Sequence, residues 1–220
     1  GLEHGMPIEP EIDLAKGVHL AWIHEDIVVL DVQADAYSLL VGAANLIRPA
    51  RQGEAVSADA AVLNDLALAG LTSTTRERSR RPPAPATHDA RSTAPTSLNA
   101  RTRALANALC GTMAFRQRPL PALVEAARLR SSAPHRRDLY GAIQEAEAFE
   151  AIRPWVPYEG DCLQRSWMLH RHLHQRGLDA DWVFGVRTWP FLAHCWVQVG
   201  DTIVGDSLDR VGGFTPIMVA

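Results

Sequence analysis

Residues 160–206 read GDCLQRSWMLHRHLHQRGLDADWVFGVRTWPFLAHCWVQVGDTIVGD, and this stretch decides the fold of the second half of the chain. A helix is predicted from Cys162 to about Arg176, because Gly177 is a typical residue at a helix C-terminus. The next three runs are rich in β-branched and aromatic residues and are predicted to be strands: DWVFGVR (181–187), AHCWVQV (193–199) and TIVGD (202–206). The segment therefore predicts a helix followed by an antiparallel sheet.

The order of three side chains in this segment is typical of cysteine catalysis. A thiol attacks only as its thiolate, so a catalytic cysteine needs a lowered pKa, which the partial positive charge of a helix N-terminus favours. Cys162 lies at the predicted helix start, where Asp161 could be the N-cap and Gln164 could complete a capping box. His194 lies on the second strand and Asp206 at the end of the third. This is the order that a Cys-His-Asp triad requires, although a buried structural cysteine and histidine are the alternative.

The register of the last two strands decides whether these side chains can meet. A plain two-residue turn at 200–201 would put His194 and Asp206 on opposite faces of the strand pair, because a slip of one residue reverses every face. The triad therefore requires a three-residue loop at 199–201, a bulge, or a strand end that turns Asp206 back. Cys195 follows His194 on the strand and is expected to face away from it.

Two metal sites are conceivable from residue type alone. His170, His172 and His174 lie on the predicted helix, but the HExxH motif of zinc proteases is absent, so a solvated helix face is expected. A second zinc set would combine the three triad residues with Cys195, which is expected to point away from them. We therefore predict no metal and no organic cofactor.

Upstream of this segment, the chain is predicted to contain further helices and a linker. Apolar spacing, with Asn99 as a cap and proline in a first turn, predicts three helices: 99–115, 119–129 and 138–152. Residues 76–98 read RERSRRPPAPATHDARSTAPTSL, a composition typical of a linker. The predicted organisation is a first domain at 6–75, this linker, and a second domain at 99–220.

The first domain is predicted to be a small α+β module. The runs HLAWIH (19–24) and IVVLDV (27–32) flank a two-residue polar turn and predict a hairpin. A third strand is predicted at 37–40, a short helix at 42–47, and a longer helix from a cap at Ser57 to Gly70.

Composition argues against several classes of function. The net charge of -3 argues against a general nucleic-acid binder. No apolar run reaches the roughly 18 residues of a membrane helix, and no secretory signal pattern is found. Three cysteines without a CxxC motif argue against a disulfide scaffold or zinc ribbon and favour a reducing cytoplasm.

The segment 160–206 closely resembles the C-terminal domain of lasso peptide B proteins, which are transglutaminase-like leader peptidases of ribosomal-peptide pathways. The matching residues are Cys162-Leu163, Arg165-Ser166, Gly177, Gly185-Val186, Ala193-His194, Trp196-Val197 and Asp206. The resemblance implies a papain/transglutaminase-like fold, with Cys162 as nucleophile, His194 as base and Asp206 as the residue that orients the base. It also implies that the substrate is a lasso precursor peptide, cut between leader and core. The implied partner is an ATP-dependent cyclase of the asparagine-synthetase type.

The first domain resembles the peptide-recognition element of such pathways, a winged-helix-like module of three strands and three helices. The matches are IVVLDV, the run at 37–40 and the helix end at 68–71. The resemblance implies a leader-binding domain, and an extended leader would add a strand to an exposed sheet edge. The expected binding residues are Tyr37, Ser38, Leu39 and Leu40 on that edge, Leu63 and Leu66 on the opposite helix, and Trp196 near the triad.

Two other functions fit the same features. An acyltransferase would use the same triad, with an amine instead of water resolving the thioester. A non-catalytic adaptor would bind the leader and leave it uncut. The first domain could also be an accessory module that only stabilises its neighbour.

Overall fold

The computed structural model describes residues 10–50, 55–74, 80–92, 94–156 and 162–220. The chain divides into two compact units, Gly1–Arg81 and Pro82–Ala220. The helix cap predicted at Asp161 lies outside the described residues. None of the helices in these ranges is long and apolar enough to cross a membrane.

The first unit contains two small antiparallel sheets. Its strands are β1 (Glu11–Leu14), β2 (Val18–Ile23), β3 (Asp26–Asp31), β4 (Ala36–Leu40), β5 (Arg48–Pro49), β6 (Ala55–Ser57) and β7 (Thr72–Ser73). One sheet has the order β2-β3-β4, and the other has the order β5-β6-β1-β7. The predicted hairpin is formed by β2 and β3, and the predicted third strand is β4 at the edge of the same sheet.

The helices of the first unit differ from the prediction. The described residues contain one α-helix here, α1 (Ala60–Leu68), and its N-cap is Asp59, two residues after the expected Ser57. The short helix expected at 42–47 is a single 3-10 turn at Ala43–Asn45. The expected set of three strands and three helices is therefore wrong for the described residues. Strands β1, β5, β6 and β7 form a second sheet. Each has only two to four residues, which is too short for a recognisable strand pattern in the sequence.

The second unit begins with helices, as predicted. They are α2 (Leu98–Phe115), α3 (Leu120–Ser131), α4 (Leu139–Ala151) and α5 (Cys162–Gln175), followed later by the short α6 (Leu208–Val211). The N-cap side chains of α2 and α4 are Ser97 and Asp138, and each accepts a backbone N–H from the first turn. α3 carries a proline in its first turn, where the missing N–H has no cost.

The sheet of the second unit is mixed. Its strands are β8 (His88–Asp89), β9 (Asp181–Arg187), β10 (Leu192–Val199), β11 (Thr202–Val204) and β12 (Thr215–Val219), in the order β12-β9-β10-β11-β8. β9, β10 and β11 are antiparallel, as predicted, but β8 runs parallel to β11. The expectation of a purely antiparallel sheet is therefore wrong at this edge. β8 lies inside the segment predicted as linker, where two pairing residues left no recognisable strand pattern.

Helix α5 lies inside the second unit. It packs against α2, α3 and α4 and against β9 and β10. Its three histidines, His170, His172 and His174, are between 0% and 5% exposed. The prediction of a solvated helix face is therefore wrong, because neighbouring helices and strands cover the three histidines.

Candidate active site

The Cys162 thiol lies at the first residue of α5, as the sequence predicts. The side chain is partly buried. The first turn of a helix carries N–H groups without intrahelical partners and a partial positive charge, and both favour a thiolate. The predicted capping box needs Asp161 and so falls outside the described residues.

His194 and Asp206 are joined by a hydrogen bond. The imidazole Nε2 lies 2.8 Å from the carboxylate Oδ2. Both side chains are nearly covered, with 11% and 12% exposed, respectively. Because Nε2 donates to the carboxylate, Nδ1 is the nitrogen left for the Cys162 thiol, with which His194 also forms a hydrogen bond. The structure thus brings together the three residues that the sequence singled out.

The turn between β10 and β11 does not by itself place His194 and Asp206 on the same face of the strand pair. The two strands pair as across a plain two-residue turn at 200–201. The three-residue loop at 199–201 is therefore not formed. If β11 continued in this register, Asp206 would lie on the opposite face from His194.

A bend in the chain after the end of β11 brings Asp206 to the face of His194. The strand stops at Val204, and Gly205 has φ of 72°, in the left-handed region that favours glycine. This bend turns Asp206 back toward His194, which is the third of the alternatives that the sequence left open. Glycine is also needed for space, because a Cβ at residue 205 would overlap the Leu169 side chain of α5.

The turn that carries Asp206 is held by further contacts. Its Oδ1 accepts the backbone N–H of Ser207 at 2.8 Å, and the Arg210 Nε lies 3.7 Å from the same oxygen. Asp89 of β8 accepts the backbone N–H of Leu208 at 2.9 Å. Burial raises the pKa of Asp206, but the hydrogen bond to His194 and the other contacts outweigh burial and lower it. The carboxylate is therefore ionised and fixed in orientation.

Cys195 belongs to the site, which the sequence analysis missed. Its thiol and its backbone N–H both form hydrogen bonds with the Cys162 thiol. The Ser166 hydroxyl lies 3.3 Å from the Cys195 Sγ, donates to the Cys162 carbonyl at 2.6 Å, and accepts from the Trp182 Nε1 at 2.8 Å. Strand alternation places Cys195 on the opposite face of β10 from His194, but the sequence does not show that α5, which carries Cys162, packs on that face.

The thiol and the imidazole have pKa values shifted in opposite directions. The hydrogen bond from Cys195 is the largest cause of the lowered Cys162 pKa of about 5; burial opposes it and His194 adds to it. Burial lowers the His194 pKa, but hydrogen bonds to Asp206 and Cys162 outweigh burial and raise it to about 9. Between these values the pair is a thiolate and an imidazolium, which is the reactive form of a catalytic cysteine.

Trp196 supports the imidazole from inside the core. Its ring stacks on His194 with centroids 6.2 Å apart, and its Nε1 donates to Gln198. Trp196 is 1% exposed, and it lies in the wall of the pocket that also contains Cys162, His194 and Asp206, so its place near the triad is as predicted while its role in substrate binding stays a prediction. A Cβ on Gly185, which pairs with His194 across the strands, would come within 2.6 Å of the Trp196 ring. Gly185 therefore makes room for the residue on which His194 packs.

His172 and His174, two of the three buried histidines of α5, have hydrogen-bond partners other than a metal. His172 accepts from the Asn107 amide at 3.0 Å and donates to Glu145 at 3.0 Å. His174 donates to the Ala180 carbonyl at 2.9 Å. In the part of the chain that the structure describes, no group of three or more His, Cys, Asp or Glu side chains could hold a metal ion.

The residues predicted to bind the leader lie in two environments. Four lie on β4, at an edge of its three-stranded sheet: Tyr37, Ser38, Leu39 and Leu40. Leu63 and Leu66 of α1 are 9% and 6% exposed and pack in the core of the first unit. These two leucines therefore hold α1 in place, and their side chains do not form an open apolar surface.

Comparison with known proteins identifies the class of the second unit. Residues 108–219, about half of the chain, match the Transglutaminase-like superfamily and include all three predicted triad residues. The chain belongs to this superfamily. It is also similar to the microcin J25-processing protein McjB of Escherichia coli, with 46% identity over 50 residues. This match confirms the resemblance to lasso peptide B proteins that the sequence indicated.

The similarity to McjB is local. The matched stretch is 23% of this chain and 24% of the relative, so the chain spans about a quarter of the curated relative that it matches. No solved structure matches the chain significantly.

Proposed function

We propose that this protein is a cysteine endopeptidase that removes the leader from a ribosomally made lasso precursor peptide before macrocyclisation. The observation that carries the proposal is the contact of Cys162 with His194 and of His194 with Asp206 in a transglutaminase-like domain. The local similarity to a protein named for processing microcin J25 supports the substrate class.

In the proposed reaction, the Cys162 thiolate attacks the scissile carbonyl and forms a C–S bond. The imidazolium of His194 gives its Nδ1 proton to the leaving amine as the C–N bond breaks, which frees the N-terminus of the core. The leader then remains on Cys162 as a thioester. Water, deprotonated by the neutral imidazole, resolves the thioester and regenerates the thiolate.

The surrounding groups have supporting roles in this mechanism. Asp206 keeps the proton on Nε2 of His194 and stabilises the imidazolium. The N–H groups of the first turn of α5 are the candidates for holding the oxyanion, because they have no partner within the helix. The reaction as proposed needs no metal and no organic cofactor.

We propose that the first unit is the leader-binding domain, although its two small sheets differ from the winged-helix-like module that the resemblance implied. β4 is a sheet edge, and an extended peptide can add to such an edge through main-chain hydrogen bonds. Tyr37, Ser38, Leu39 and Leu40 would then contact alternate side chains of the leader.

Macrocyclisation, the step after cleavage, would use the freed N-terminal amine of the core peptide. We propose that an ATP-dependent cyclase of the asparagine-synthetase type joins it to a carboxyl side chain of the core. The three reduced cysteines fit a reducing compartment, and the cytoplasm is the proposed location.

The proposal is tested by cleavage of the precursor with and without the cyclase. Cys162→Ala is expected to abolish cleavage and to leave leader binding unchanged, because it removes the nucleophile alone. Cys110→Ala is the matched control, since Cys110 is an exposed cysteine on α2, and it is expected to retain wild-type turnover. Substantial turnover by the Cys162→Ala protein would overturn the mechanism.

The same products separate the alternatives. A free leader acid and a free core amine support a peptidase. A leader amide that forms only with added amine would indicate an acyltransferase. Tight leader binding with no cut, even with cyclase present, would indicate an adaptor.

A further inference from the structure

We propose that Arg165 is a positioning residue that holds the backbone carbonyl of Gly205 and so keeps Asp206 turned toward His194. The inference rests on the proposed function and adds to it a residue that does not touch the reacting atoms. It acts through the chain bend that the strand register makes necessary.

The contact between Arg165 and the bend is direct. The Arg165 Nη2 donates to the Gly205 carbonyl oxygen at 2.9 Å. Gly205 is the left-handed residue immediately before Asp206. Without the bend, the register of β11 would place Asp206 on the wrong face. Rotation of the peptide between Gly205 and Asp206 would move Asp206 away from His194. By donating to the Gly205 carbonyl, Arg165 restricts this rotation.

The guanidinium is itself anchored from α4. Arg165 Nε donates to Glu150 Oε1 at 3.1 Å, and Nη2 lies 2.9 Å from Oε2. The side chains of Arg165 and Glu150 are 15% and 26% exposed. Such a two-point ion pair orients a planar guanidinium, which leaves Nη2 aimed at the carbonyl.

Arg165 also links the bend to the nucleophile. It lies on α5, three residues after Cys162, and Leu169 on the same helix packs where a Cβ of residue 205 would sit. One rigid helix thus carries the thiol at its start and holds the bend from its first two turns. Helix α5 therefore fixes the position of Asp206 relative to Cys162.

A polar cavity adjoins this contact and makes a sharp test possible. The cavity has a volume of about 310 Å³, and its lining includes Arg165, Glu150, Gly205 and Asp206. If the Arg165 side chain is shortened, a small guanidinium ion can enter from this cavity and occupy the vacated position.

The test measures the pH dependence of Cys162 alkylation by iodoacetamide, followed by peptide mass spectrometry. Arg165→Ala is expected to move the midpoint of alkylation upward by about one pH unit, because a misplaced Asp206 no longer supports the His194 imidazolium beside the thiolate. Millimolar guanidinium chloride should restore the midpoint, and Arg165→Lys should lie between the two.

The matched control is Arg153→Ala. Arg153 also approaches Glu150, at 3.9 Å, and lines the same cavity, but its side chain is 44% exposed. Its alkylation midpoint is expected to equal that of the wild type. In an Asp206→Ala background, Arg165→Ala should add no further shift, because a residue that acts through Asp206 has nothing left to position.

Three outcomes would overturn the inference. They are an unchanged midpoint in folded Arg165→Ala protein, a full additional shift in the Asp206→Ala background, or the same shift in Arg153→Ala. If Arg165→Ala does not fold, Glu150→Gln takes its place, with a smaller upward shift expected and an unchanged midpoint counting against the role. Alkylation uses no precursor peptide, so a failure of the peptidase proposal shows separately, as absence of cleavage by the wild type.

Discussion

The Cys162–His194–Asp206 site and the β4 edge of the first unit are built in opposite ways. His194 and Asp206 are nearly covered, and Cys162 is partly buried. Each is held by other residues of the site: Cys195 contacts Cys162, and Asp206 and Trp196 contact His194. β4 pairs with β3 on one side, and no strand in the described part of the chain pairs with its other side. Chemistry on a peptide bond needs groups fixed before the substrate arrives, whereas strand addition needs main-chain groups left available.

Among substitutions that test this contrast, we expect Gly205→Ala to have the largest effect on stability and cleavage rate. Gly205→Ala forces a non-glycine residue to φ of 72° and overlaps Leu169, so we expect about 1–3 kcal/mol of lost stability. Because the bend orients Asp206, cleavage should fall by about 100-fold. Thermal unfolding and cleavage rate measure the two effects.

Gly200→Ala is the control for this change. Gly200 also has a left-handed φ, of 64°, but nothing lies within 4 Å of an added Cβ. It should lose some stability and keep its cleavage rate. Equal activity losses at the two glycines would mean that the bend before Asp206 is not special.

The next effect concerns pH. The rate of cleavage is expected to be bell-shaped, with limbs near pH 5 and pH 9, each falling about tenfold per pH unit outside them. Below the first limb the Cys162 thiolate is protonated. Above the second, His194 has lost the proton that the leaving amine needs. Asp206→Asn removes a contact that raises the His194 pKa, so its alkaline limb should move to lower pH; an unmoved limb would contradict the role of Asp206.

The smallest effect is expected at the β4 edge. Leu39→Pro removes one backbone N–H and distorts the strand, so leader affinity should fall by about threefold to tenfold, the worth of one or two hydrogen bonds. Leu39→Ala keeps the N–H and should bind more tightly than the proline variant. Fluorescence titration of labelled leader measures both, and unchanged affinity of Leu39→Pro would argue against strand addition here.

Much of the second unit was predictable from local patterns. Apolar spacing and a glycine stop predicted α5, and β-rich runs predicted β9, β10 and β11, because these signals depend on residues close in the chain. The order of Cys162, His194 and Asp206 along these elements was therefore visible in the sequence. Their contact was not, since it depends on the backbone angle at Gly205, for which the sequence offered three alternatives.

The errors share a different cause, which is pairing between distant residues. The histidines of α5 were expected to be solvated, and His172 is instead buried between Asn107 and Glu145 from other helices. Composition predicts a linker where β8 lies, because its two residues form a strand only by pairing with β11, more than a hundred residues later. The sequence predicts Cys195 to lie outside the site, because it does not show which face of β10 is covered by α5.

The most direct test of the account is to look for the thioester. Wild-type protein mixed with precursor and quenched in acid should yield a Cys162-containing peptide heavier by the mass of the leader acyl group. Dilute hydroxylamine should remove this mass. Cleavage that proceeds with no adduct on Cys162, or with the adduct on another residue, would contradict the assignment of Cys162 as the nucleophile.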